Sequence, residues 1–212
     1  MKLLSQRSPH SIEAESRAII RAAVGPHRFT AEEFEIVERV IQASADLEFA
    51  RTMEFRNRAV QAGLEAIRRK LPAVVDVEMV AAGLRQDLLV EAGVETRCAI
   101  RDEDVRRRAT EQGTSRAAVA IEKLVLEAPS AIVAIGNAPT ALLRVVELVR
   151  DNRINPALVI GMPVGFVLAS EAKDLLRELE VPTIVCRGEK GGSAVTVAAL
   201  NALLGLAVRI AQ

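Results

Sequence analysis

Tryptophan and tyrosine are absent from this sequence and phenylalanine occurs only five times in 212 residues, so any core it builds must be aliphatic. Histidine and cysteine are almost as scarce, with two of each. Cys98 and Cys186 each lie inside an apolar, strand-like run with no second Cys or His beside it. That placement reads as two buried thiols rather than a disulfide or a metal site. His10 and His27 lack the paired spacing of zinc ligands, so no metal is expected. A charge excess is missing as well, because 28 Lys+Arg balance 28 Asp+Glu. The balance excludes a protein built to grip nucleic acid along its backbone, since that binding draws most of its affinity from surplus basic side chains. No apolar run is read as reaching the ~20 residues that span a bilayer, and the opening MKLLSQRSPH lacks the apolar stretch of a secretory signal. The expected location is the cytoplasm, with no membrane partner.

What is present begins with helices. Ser11 precedes an acidic turn containing Glu13 and Glu15, and Ile12, Ile19, Ile20 and Val24 form a helical stripe that Gly25-Pro26 ends. Thr30 with Glu33 makes a capping box, from which Phe34, Val37, Val40 and Ile41 continue at helical spacing, predicting a helix over 31–44. A third helix is predicted over 59–71, closing with Arg68-Arg69-Lys70 where the macrodipole favours positive charge, before Pro72. From Pro72 the pattern changes. Short β-branched runs (73–77, 96–100, 131–135, 157–160, 183–186) alternate with helical stretches (104–111, 115–126, 140–150, 171–179, 193–208). Continuous apolar strands alternating with helices mean strands covered on both faces, hence a parallel sheet in a three-layer α/β/α sandwich. One α/β domain over 1–212 is expected, with 1–71 as an N-terminal helical segment on or over the site and 72–212 as the sheet core.

In an open parallel sheet, ligands bind beyond the carboxyl ends of the strands. Three such exits are rich in glycine and proline: Gly136-Asn137-Ala138-Pro139-Thr140, Gly161-Met162-Pro163-Val164-Gly165-Phe166, and Arg187-Gly188-Glu189-Lys190-Gly191-Gly192-Ser193. Glycine there lets backbone approach a ligand and proline stiffens the loop. The last exit offers two cations and free glycine amides at a helix start, a setting for an anion, carboxylate or phosphate. No lysine followed by Ser or Thr closes it and no G-x-G-x-x-G follows any strand, so it is not a nucleotide loop. Arg116, after Gly113-Thr114-Ser115, is a further anion candidate, whereas Lys173 and Arg144 read as surface charges. Catalytic groups are few. Asp76-Val77-Glu78 and Asp102-Glu103-Asp104 lie near strand exits, the latter as a helix N-terminal turn.

These motifs together resemble the precorrin-8X methylmutase (precorrin isomerase) family. The resemblance rests on Ala134–Leu142, on Ile160–Phe166 with Glu171-Ala172-Lys173, and on Arg187-Gly188 followed by Gly191-Gly192-Ser193. It extends upstream through Gly113–Arg116 with Ala118, Asp76–Val80 and Ser16–Arg21, and so covers about residues 8 to 205 in family order. It implies a flavodoxin-like fold with a five-stranded parallel sheet, acting as a homodimer with sites at the subunit interface. The implied reaction moves a methyl group from C11 to C12 of a corrin precursor, giving hydrogenobyrinate or its cobalt equivalent on the way to vitamin B12, with no cofactor. The implied substrate contacts are Ser16, Arg116, Asn137, Thr140, Gly161, Pro163, Gly165, Arg187, Gly188, Gly191, Gly192 and Ser193. The phenylalanine-bearing N-terminal helices would cover the ring face.

One position departs from the family pattern. Where the family has a proton-donating histidine in a stretch like Arg-Val-Ile-His-Ala, this chain reads Arg39-Val40-Ile41-Gln42-Ala43. Glutamine donates a hydrogen bond but exchanges no proton near neutral pH, so impaired turnover is expected. The competing reading is a relative that holds a corrinoid without converting it.

Overall fold

The computed structural model describes residues 8–211, without the side chains of Pro9 and His10. Helix α1 (Pro9–Val24) starts earlier than its acidic turn implied, because Ser8 is the residue that caps it, accepting from the Ser11 N–H at 3.2 Å. Helix α2 (Ala31–Ser44) has the expected capping box: Thr30 Oγ1 accepts from Glu33 N at 3.2 Å, and Glu33 Oε2 accepts from Thr30 N at 2.9 Å. A short helix α3 (Phe49–Thr52) then leads into strand β1 (Met53–Arg56), which the sequence reading missed because four residues are too few to show alternation. After α4 (Ala59–Arg68) come β2 (Ala73–Val75), two short helices α5 (Glu78–Gly83) and α6 (Gln86–Ala92), and β3 (Thr96–Arg97). The chain continues through α7 (Glu103–Gln112), α8 (Arg116–Glu127), β4 (Ile132–Ile135), α9 (Pro139–Arg150), β5 (Leu158–Gly161), α10 (Ala169–Arg177), β6 (Thr183–Cys186) and α11 (Ser193–Ala211).

The strands form one six-stranded sheet in the order β1-β6-β5-β4-β2-β3. The five later strands pair in parallel, as expected, and β1 adds an antiparallel edge in which Met53 faces Cys186 and Arg56 faces Thr183. Successive strand residues alternate between two apolar layers. Ala73, Val75, Ile132, Ala134, Leu158 and Ile160 face a layer built from α2, α4 and α11, while Val74, Val133, Ile135 and Val159 face α7 to α10. The chain reverses its direction of travel across the sheet between β2 and β4, and that switch point locates the crevice where ligands of such sheets bind.

One expectation about apolar segments is corrected. Helix α11 is in fact long and apolar enough to cross a membrane by length and composition, because Arg209, in its last turn, is its only charged residue. Half of that stretch is buried, and the helix packs on α2, α4, α5 and α6. Of the five phenylalanines, Phe166 lies in the β5 exit and the other four lie in the N-terminal part of the chain. Phe29, Phe34 and Phe55 cluster with His27, whose ring stacks on Phe34 at 3.9 Å, and Phe49 is core. Phe55 faces Ile184, near the start of β6, so this cluster holds the opposite end of α2 from Gln42.

Candidate functional site

The strand exits are bound to one another. Asp76, the residue after β2, is fully buried at the switch point. Its Oδ1 accepts from Gly136 N at 3.0 Å, and its Oδ2 accepts from Asn137 N and Ala138 N, each at 2.8 Å. Burial pushes this carboxyl up, against the pull of the main-chain donors. Helix α9 has no side-chain cap; the Asp76 carboxylate instead holds the turn just before it, near the helix end where the dipole favours negative charge.

The next two exits interlock. Gly165 N donates to Glu189 O at 3.0 Å and Gly192 N donates to Met162 O at 2.8 Å. Gly191 has φ 158°, and a Cβ there would lie 2.3 Å from Met162 O, so only glycine lets the two loops close on each other. The loop's own cations turn aside. Arg187 bonds Glu54 Oε1 at 3.2 Å and Arg51 O at 3.0 Å, and Lys190 reaches Asp46 and Glu48, each at 2.6 Å. The last pair straps this loop to the turn after α2.

Lys173 overturns its reading as a surface charge, being 0% exposed. It occupies the apolar face of α10 with Ala169, Ala172 and Leu176, a helical spacing that could have revealed its burial. Its Nζ donates to Lys190 O at 2.7 Å and lies 3.8 Å from Cys186 Sγ. Arg144, by contrast, stays partly exposed and bridges Glu122 at 2.8 Å and Glu147 at 2.7 Å. Asp102 and Asp104 do form the first turn of α7, and both bind Lys123, at 2.7 and 2.9 Å. Of the two thiols Cys186 is buried, whereas Cys98 is half-buried beside the short edge strand β3.

Gln42 stands between two grooves near the C-terminal end of α2. One groove, about 470 Å³, it shares with Ser16, Ile19 and Leu47. The other, about 440 Å³, it shares with Glu13, Arg39 and one side of α11 from Ala194 to Arg209. Arg39 Nη1 donates to Gln42 Oε1 at 3.2 Å and binds Glu13 Oε1 at 2.7 Å. A guanidinium has no acceptor, so the glutamine oxygen must face Arg39 and its NH2 is left free to donate into the grooves. Arg39 beside Glu13 holds that carboxyl below its usual range. Behind this pair, Glu38 is buried against Arg21 at 2.7 Å and Arg17 at 3.5 Å, which fixes α1 on α2. The Arg39 contact was not foreseen from sequence.

Comparison with known proteins gives the family. The precorrin-8X methylmutase family profile matches residues 11–206. A cobalt-precorrin-8 methylmutase of Priestia megaterium is 47% identical over 199 residues, 94% of this chain and 88% of the relative. This chain belongs to the precorrin-8X methylmutase family. A precorrin-8X methylmutase of Sinorhizobium sp is 41% identical, covering 93% of this chain and 94% of its own. The crystal structure of the precorrin-8X methyl mutase from Thermus thermophilus matches with TM-score 0.85 at 42% identity, over 94% of this chain and 98% of that one.

Against the family's expected contacts, the methylmutase fold sorts the residues into two groups. Ser16 and Gln42 share a groove on the α1–α2 side. On the other face, Arg116 opens α8, is exposed, and has no ion pair among the described residues. Next to it Ser115 Oγ and Thr140 Oγ1 are 2.7 Å apart. Between the groups lie exposed Asn137, buried Gly161 and Pro163, the interlocked Gly165, Gly191 and Gly192, Gly188 with open space beside it, and buried Ser193. The β5 exit also carries Val164, Phe166 and Val167 in the open, Phe166 at 96% exposure.

Proposed function

We propose that this protein is a precorrin-8X methylmutase in cobalamin biosynthesis, moving a methyl group from C11 to C12 of a corrin precursor to give hydrogenobyrinate or its cobalt equivalent. The observation that carries the reading is the family match over residues 11–206 together with the three glycine-rich exits packed into one edge of the sheet. The substrate is a flat apolar macrocycle ringed by carboxylates. Unpaired Arg116 and the N–H groups opening α11 suit the rim, while Gln42 and Ser16 suit a polar contact at the ring. No redox cofactor takes part in an intramolecular shift. A homodimer with interface sites follows from the same reading. It is supported by the placement of Ser16 and Arg116 on opposite faces of one chain and by the bare apolar loop around Phe166, which a second copy would cover. The site residues are proposed as expected from sequence, except that Arg187 must first leave Glu54 to reach a ligand. Gln42 favours a second reading, a relative that binds the corrinoid and turns it over slowly or not at all.

Titration with hydrogenobyrinate tests the assignment. Without Trp or Tyr the chain leaves the near ultraviolet almost clear, so the visible bands of the bound chromophore are expected to move and the melting temperature to rise. Unmoved bands and an unchanged Tm would remove the reading. Arg116→Ala is expected to weaken that binding by about 1.5–3 kcal/mol, the range for a hydrogen bond to a charged group, with a shallower salt dependence than the parent. Equal affinity at low and moderate salt would show that the guanidinium holds no rim carboxylate.

A further inference from the structure

Lys173 is a buried cation that the methyl shift does not call for. No carboxylate pairs with it among the described residues; its neighbours are the Lys190 carbonyl, at 2.7 Å from Nζ, and the Cys186 thiol, which itself donates to that carbonyl at 3.1 Å. An ammonium without a counter-ion is costly to bury, and an apolar side chain of similar volume commonly serves a fold as well or better. Burial accordingly pushes the amine below its ordinary range. Packing alone therefore gives no reason for a lysine here.

The reason lies on the other side of the peptide that Lys173 holds. A trans peptide is planar, with its C=O and N–H pointing in opposite directions, and no cis bond occurs among the described residues. With the Lys190 carbonyl drawn inward to Nζ, the Gly191 N–H must point outward. That N–H has no partner among the described residues, whereas the next one, Gly192 N, is spent on Met162 O. It lies at the strand-exit edge just ahead of α11, whose first N–H groups have no partner within the helix. We propose that Lys173 is a positioning residue of the corrinoid site: it fixes the 190–191 peptide so that the Gly191 N–H receives a rim carboxylate, and its charge sits beneath that carboxylate. The inference rests on the corrinoid reading above.

Two probes separate it from a structural role: hydrogenobyrinate, and the same ring with its side-chain carboxylates converted to carboxamides. Charge-assisted hydrogen bonds are about twice as strong as neutral ones, so Lys173→Met is expected to weaken hydrogenobyrinate by roughly tenfold or more and the amide form far less, with Tm unchanged or raised. Lys173→Gln, which restores a donor to the Lys190 carbonyl, is expected to recover part of the loss. In the unaltered protein, the Gly191 amide proton is expected to move downfield when hydrogenobyrinate is added. Parent-like affinity of Lys173→Met for both probes, or equal losses on both, overturns the proposal. Where neither variant folds, a Gly191 proton that does not respond to bound hydrogenobyrinate overturns it instead. If the unaltered protein binds neither probe, the corrinoid reading itself fails, and that outcome is distinct from binding with an indifferent Lys173→Met.

Discussion

Gln42→His is expected to raise the single-turnover rate of the methyl shift by on the order of 100-fold or more while leaving corrinoid affinity nearly unchanged. The first half follows from proton chemistry. Glutamine can donate a hydrogen bond from its NH2, but it neither gives up nor takes back a proton near neutral pH, and general acid help is typically worth about 10² to 10⁴ in rate. The second half follows from the geometry. Arg39 holds Gln42 Oε1 at 3.2 Å and directs the NH2 into the grooves beside Ser16, so this chain already places a donor at that point and imidazole adds little new contact. A pH signature accompanies the rate. The imidazolium is the donating form, so the histidine variant should be fast below its pKa, ordinarily about 6.5, and slow as pH rises through it. The Arg39 guanidinium works to lower that midpoint and Glu13, 2.7 Å from Arg39, works to restore it. The Gln42 protein should show no such inflection. Single-turnover measurements from pH 5 to 8 decide the matter: equal rates with the same profile in both proteins mean that the acid comes from elsewhere or that position 42 does not face the ring.

Much of the scaffold was legible because its signals are local. The capping box at Thr30 and Glu33, the prolines at 72 and 139, and β-branched runs alternating with amphipathic helices all act within a few residues, and the parallel sheet follows from their alternation. Strand β1 escaped because its identity comes from its partner. Met-Glu-Phe-Arg is a strand only where β6 leaves an edge for it. Lys173 was misread because residue type outweighed position: lysine is almost never fully buried, yet its spacing on α10 belongs to the apolar stripe. For the site, the glycine exits were visible in sequence, but their mutual locking was not. Nothing in the segments themselves says that Gly191 closes on Met162 or that the Arg187 guanidinium is engaged by Glu54. Such facts arise only when distant strands are brought side by side.

The same kind of long-range tie gives the largest stability effect expected in the molecule. Asp76 offers two oxygens to three N–H groups from a loop 60 residues or more away in sequence. Those groups lie in the turn just before α9, a helix with no side-chain cap. Gly136 and Ala138 are themselves buried, so water cannot readily replace the carboxylate. Each buried donor left unsatisfied costs about 1–3 kcal/mol, and relaxation of the loop recovers part of it. Asp76→Ala is therefore expected to destabilise the fold by roughly 3–5 kcal/mol, in the tail of single-substitution effects that marks a broken buried network. Asp76→Asn preserves shape but turns an NH2 toward N–H groups where an acceptor stood, and roughly 2 kcal/mol is expected from one lost acceptor and one new donor conflict. Urea unfolding measures both, with the slope compared so that a changed unfolded state is not mistaken for lost stability. Midpoints within error of the parent would mean that the exit loops hold themselves together without Asp76. If both variants instead unfold early, it is this one carboxylate that ties the exit of β2 to the exit of β4.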